Sequence, residues 1–240
     1  MSVARILSQS EIVKQQSESS REKVNQVPIL QESQVQDPPH LKVLKQRGEQ
    51  YVREKILSKK ITQTKRGSLK HLLFGTQPSF QSVSIKMGLC GEPMTKDLID
   101  WSDKTLMDCG LQQIGNKKID VDLLWSDPRN KTIYYRELKG NIEMDTEKIP
   151  AMLEKIKTVT RHYTKEYPGF TVNSGVLVWS VHSYEDLKSG VSHIKRCEAE
   201  GVRVEHFNEF LINVTGKGWD KADFYSWWRQ IGEMITNRFK

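Results

Sequence analysis

The sequence predicts an α/β fold, and three observations carry that expectation. Two adjoining apolar runs, Ile119-Asp-Val-Asp-Leu-Leu-Trp125 and Tyr134-Tyr-Arg-Glu-Leu-Lys139, are separated by turn chemistry and read as neighbouring strands. A further run, Gly175-Val-Leu-Val-Trp-Ser-Val181, is apolar almost throughout, as a strand covered on both faces would be. Between them Ile149, Met152, Leu153, Ile156, Val159 and Tyr163 recur at the spacing of one buried helix face. Strands alternating with amphipathic helices imply a central mixed sheet flanked by helices.

The elements follow in chain order. Residues 8–37 contain seven Gln and six Ser and end in Asp37-Pro-Pro-His40, a composition that buries little apolar surface. Residues 1–40 are therefore expected to be a polar, partly ordered N-terminal arm, with Ile6, Leu7, Ile12 and Val13 able to dock as a short helix, and 41–240 to be one domain. Val43, Leu44, Tyr51, Val52, Ile56 and Leu57 predict a helix over 41–59. Gly75-Thr-Gln-Pro-Ser79 breaks the chain, and 80–87 reads as an extended segment. Gly91-Glu-Pro opens a second helix, with Pro93 in its first turn and Met94, Leu98, Trp101 and Leu106 as an inward stripe. Asp145-Thr-Glu-Lys148 opens the third, acids first, as the helix dipole favours. A helix over 184–200, a short strand over 202–205 and a last helix over 221–239 complete the pattern. Trp219, Trp227 and Trp228 are expected to pack that last helix on the core or on a second subunit.

Composition narrows the functions available. With 37 Lys+Arg against 30 Asp+Glu the chain carries +7, and its pI is near 9.2, which favours polyanionic partners. The excess is local: between Lys42 and Lys70 ten basic residues face only Glu49 and Glu54. Lys59, Lys60, Lys65, Arg66 and Lys70, with Lys86 and Asn141, are the candidate DNA contacts. Ser79, Gln81, Ser82 and Ser84 add donors suited to phosphate or base edges, although loop filler accounts for them equally well. Cys90, Cys109 and Cys197 are far apart and lack zinc-ligand spacing, and no histidine pair has ribbon or helical metal spacing. With no apolar run of membrane length and no signal-like N-terminus, the expectation is a cytoplasmic protein away from the membrane.

The chemistry concentrates in the first two runs. On a strand Tyr135, Glu137 and Lys139 leave one face, and Arg136 and Leu138 the other. A carboxylate and an ammonium on an otherwise apolar strand must be paired or bind an ion. Ser126-Asp-Pro-Arg-Asn-Lys131 turns the chain back, which brings Asp122 or Asp120 toward Glu137, 15 residues beyond Asp122.

An acid on one strand followed by Glu-x-Lys on the next resembles the PD-(D/E)xK nuclease superfamily, and type II restriction endonucleases within it; the match runs from Lys117 to Lys148, with Ile119 or Val121 standing where the family's proline would be. The resemblance implies a restriction-endonuclease-like core. It implies Asp122 and Glu137, with the backbone carbonyl of Leu138, as Mg²⁺ ligands and Lys139 as the group beside the scissile phosphate, with Asp120 as alternative acid. Glu92, on the helix preceding the hairpin, matches an accessory acid of the family, or else simply caps its helix. The implied activity is site-specific cleavage of double-stranded DNA by a homodimer, leaving 5'-phosphate and 3'-hydroxyl ends. A junction-resolving or repair nuclease and a non-catalytic DNA-binding module are the alternatives.

Overall fold

The computed structural model describes residues 37–59, 63–75, 80–140, 142 and 146–238. The chain divides between Asp37 and Pro38, and the description that follows is of the second unit.

Pro38 precedes the first helix, α1 (Pro39–Val52), which continues as a π-helical turn over Arg53–Leu57. Short helices α2 (Leu69–Phe74) and α3 (Phe80–Met87) lead to α4 (Gly91–Trp101). Among the described residues seven strands follow, interleaved with helices: β1 (Thr105–Leu106), β2 (Gly110–Ile114), β3 (Lys117–Val121), β4 (Leu123–Asp127), β5 (Thr132–Lys139), α5 (Lys148–Glu166), β6 (Thr171–Val178), α6 (Val191–Ala199), β7 (Arg203–His206), α7 (Phe207–Thr215) and α8 (Lys221–Asn237).

The central sheet has the order β1-β4-β5-β6-β7. β4 runs antiparallel to both of its neighbours, β1 and β5, whereas β6 and β7 run parallel to β5, so the sheet is mixed. The hairpin between β4 and β5 needs only a short turn, while each parallel step requires a crossover, which α5 and α6 provide. Alternation along the strands splits the core in two. Leu123, Trp125, Leu177 and Trp179 face α1, α4, α7 and α8. Leu124, Tyr135, Val176 and Val178 face α5 and α6. A second, two-stranded sheet pairs β2 with β3.

Several expectations are corrected here. Residues 80–87 form a helix: Val83 is buried and the serines are exposed or half-buried, so the apparent alternation was a short amphipathic turn. The run from Ile119 to Trp125 is two strands in two different sheets, with Asp122 between them. The helix expected over 184–200 is a single 3₁₀ turn (Tyr184–Asp186) followed by α6, because Gly190 adopts φ 79° and restarts the chain. Trp101, expected inside, is 45% exposed at the last residue of α4. α2, β1, β2 and α7 are not among the expected elements, although Phe207, Phe210, Leu211 and Val214 bury one helical face of α7. Trp219 and Trp227 are buried in the core against Phe224 and Phe207, which answers that expectation in favour of packing within the chain. The possible helix around Ile6 to Val13, and Asp145, lie outside the described residues.

One buried ion pair fixes β5 from behind. Arg136 is fully buried, and its Nε donates to Glu205 Oε2 on β7 at 2.7 Å, spanning β6. Its Nη1 donates to the carbonyls of Tyr135 (3.0 Å) and Asn173 (2.8 Å). Its guanidinium also sits against the stacked rings of Trp125 and Tyr134. Charge that deep is tolerated because it is paired and hydrogen-bonded.

Candidate functional site

β5 sets the site by parity. Tyr135, Glu137 and Lys139 leave the face that packs on α5, and their side chains meet: the Tyr135 hydroxyl donates to Glu137 Oε2 at 2.9 Å, and Lys139 Nζ donates to Glu137 Oε1 at 2.8 Å. Glu137 is 6% exposed.

Asp122 arrives by a different route. In the β4–β5 register Leu123 faces Arg136, so extending the ladder by one step sets Asp122 opposite Glu137. There the chain leaves the central sheet for β3, and the Asp122 carboxylate takes over a main-chain partner: Leu138 N–H donates to its Oδ2 at 2.8 Å. Leu138 thus enters the site through its main chain, its N–H holding Asp122.

A third element completes the cluster. Lys155, about two helical turns into α5, places Nζ 3.1 Å from Asp122 Oδ1 and 2.5 Å from Glu137 Oε2. Two carboxylates and two ammoniums, from the sheet junction, β5 and α5, therefore converge with only a fifth to a quarter of each lysine side chain exposed.

The electrostatics separate the two acids. Burial opposes ionisation of Glu137, but Lys139 and Lys155 together outweigh it and hold its carboxyl below the ordinary range. For Asp122 burial and then the Glu137 charge prevail over Lys155 and the Leu138 amide, so its carboxyl is pushed up. Burial lowers the affinity of Lys155 for its proton, yet Glu137 and Asp122 more than reverse this. Burial, then the neighbouring carboxylates, drive the Tyr135 phenol far up, so it stays a donor. The outcome is an ionised Glu137 beside a weaker acid.

Asp120 is exposed on β3, where it pairs across the ladder with Leu111. Its charge reaches the Tyr135 hydroxyl, but its carboxylate makes none of the contacts that Asp122 makes. Glu92 pairs with Lys96 one turn along α4 at 2.6 Å, the geometry of a helix-surface ion pair. Lys59, Lys65 and Arg66 are exposed and Lys86 is half-buried. Lys60, Asn141 and the Lys70 side chain lie outside the described residues.

Sequence reasoning missed Lys155. The available signal was a lone cation between Leu153 and Ile156 on an otherwise apolar stripe, and such a lysine reads equally as the edge of a solvated face. A groove of about 630 Å³ opens away from the cluster, at the start of β6, where Lys157 pairs with Glu200 and Arg161 with Glu154.

Among the described residues no three His, Cys, Asp or Glu side chains gather as a metal group. The donors at Asp122 and Glu137 nevertheless suit a hard divalent ion: both are carboxylates, and their facing oxygens already share one cation, the Lys155 ammonium. Mg²⁺ characteristically takes one or two carboxylates and fills its remaining positions with waters and phosphate oxygens. No helix among the described residues is long and apolar enough to cross a membrane. Comparison with models of known protein families finds no match, and no curated protein sequence matches the chain.

Proposed function

We propose that the protein is a Mg²⁺-dependent endonuclease of the PD-(D/E)xK kind, cutting double-stranded DNA at a specific short sequence as type II restriction enzymes do. The observation that carries this reading is the convergence of Asp122, Glu137 and Lys139 within one hydrogen-bonded cluster. Burial and the Glu137 charge also push the Asp122 carboxyl up, and acids perturbed in that way gather at functional sites.

Asp122 and Glu137 would hold the ion, with the Leu138 carbonyl as a further ligand. When bound, Mg²⁺ supplies charge stabilisation at the phosphorane-like transition state and a more acidic water. Glu137, kept ionised by its lysines, provides a permanent anionic anchor. Lys139, fixed by its 2.8 Å bond to Glu137, presents its ammonium where negative charge builds on the phosphate and orients the attacking water. The chain's +7 charge and the exposed Lys59, Lys65 and Arg66 favour the DNA backbone as partner. Cutting both strands of a palindrome is most simply done by a two-fold homodimer.

The test is cleavage of a long duplex of known sequence with Mg²⁺ and with EDTA, by wild type and by Asp122→Asn, Glu137→Gln and Lys139→Met. Discrete Mg²⁺-dependent fragments are expected from wild type, falling by roughly a hundredfold or more in each variant while binding of DNA in EDTA persists. Undiminished cutting by all three variants overturns the site. Cleavage confined to branched DNA would make the protein a junction-resolving nuclease, and tight binding with no cleavage of any DNA a binding module.

A further inference from the structure

The oxygens of the two acids are not equivalent. Asp122 Oδ2 accepts from the Leu138 amide, and Glu137 Oε1 accepts from Lys139. The remaining pair, Asp122 Oδ1 and Glu137 Oε2, converges on a single atom, Lys155 Nζ, at 3.1 and 2.5 Å. A divalent ion held by both acids needs those same two oxygens at about 2.0–2.1 Å, so its position would nearly coincide with the ammonium. Two cations cannot share that place in a site this shielded from water, where their repulsion is poorly screened.

We propose that Lys155 is a built-in cation that occupies the metal position of the candidate site and must leave when a divalent ion enters. This rests on the metal-site reading above and adds a competition within it. The ammonium holds Asp122 and Glu137 together before any ion arrives, so the acids keep a metal-ready separation instead of repelling each other apart. The same contact weakens metal binding, because the ion finds its ligands already taken and its apparent affinity falls with the fraction of sites left open. Lys139 has no such effect built into its geometry, since among the described residues it bonds to Glu137 alone, and on the other oxygen. The Tyr135 hydroxyl, 2.9 Å from Glu137 Oε2, keeps that carboxylate in place once the ammonium has swung away.

The experiment is calorimetric titration of the full chain with Mn²⁺, without DNA, for wild type, Lys155→Met, Lys155→Gln, Lys139→Met and Asp122→Asn. Far-UV circular dichroism confirms folding, and thermal unfolding is recorded with and without the ion. Both Lys155 variants should bind Mn²⁺ at least about tenfold more tightly than wild type, and more tightly than Lys139→Met, whose only change is a nearby charge. They should also melt lower than wild type without metal, and saturating Mn²⁺ should close that gap. Saturable binding that Asp122→Asn abolishes, but that is unchanged or weaker in both Lys155 variants, overturns the competition and leaves the metal site standing. Binding absent from wild type and both Lys155 variants, or indifferent to Asp122→Asn, overturns the metal site and the competition together.

Discussion

Replacing Arg136 with Met should destabilise the protein by about 3 kcal/mol or more. The variant keeps the bulk of the side chain and removes every polar contact it makes. Glu205, 1% exposed, would then be left inside the core without its 2.7 Å partner, and breaking a buried pair from one side costs about 3–5 kcal/mol. Arg203 also lies near Glu205, with Nη2 at 3.9 Å from Oε1; its side chain is 56% exposed, so it restores at most about 1 kcal/mol. For a domain of this size, with about 2–4 °C per kcal/mol, the melting temperature should fall by at least about 6 °C. Urea unfolding at neutral pH, supported by calorimetry, measures the loss. Arg136→Met with Glu205→Met should recover most of the stability, since no charge then remains to be buried. A single variant within about 1 kcal/mol of wild type, or a double variant no more stable than the sum of the singles, would refute the reasoning.

Two further predictions concern the hairpin and the site. Asp127 is 3% exposed, and although burial opposes its charge, Lys104 and the Asn130 amide hold its carboxyl below the ordinary range. A depressed acid stabilises above its unfolded pKa of about 3.9 and loses that contribution as pH falls through the lower folded value, so Asp127→Asn should flatten the acid limb below about pH 4, seen in urea midpoints from pH 2 to 7. Tyr135→Phe removes the 2.9 Å bond to Glu137 and should cost about 1.5–3 kcal/mol, the range for a hydrogen bond to a charged group. Its cleavage rate should fall less than that of Glu137→Gln; an equal fall would give the phenol a direct part in the chemistry.

The part of the site that depends on local periodicity was legible before folding. Alternation alone placed Tyr135, Glu137 and Lys139 on one face and Arg136 on the other, and the structure joins the first three by hydrogen bonds. The buried stripe of α5, from Ile149 to Tyr163, was legible for the same reason. What depends on long-range pairing was not. Nothing near Arg136 in sequence points to Glu205, 69 residues away, and nothing near Asp122 points to Lys155, 33 residues on. Asp120 stands as an alternative to Asp122 in the sequence because both share a parity, and only the exit of the chain from the sheet distinguishes them. The helix over 80–87 escaped notice because serine favours neither state and eight residues hold too few apolar positions to separate a period of 2 from one of 3.6.

Asp122 is the single residue between the last position of β3 and the first of β4, and those strands belong to different sheets. Chain length is consequently tolerated very differently on its two sides. Around Gly115, at the tip of the β2–β3 hairpin, residues can be added or lost while the acid keeps its place. Between Val121 and Leu123 one inserted residue would either carry the carboxylate away from the Leu138 amide or turn every side chain of β4 to the opposite face. Descendants of this fold should therefore vary in the length of that hairpin and never in the one-residue step.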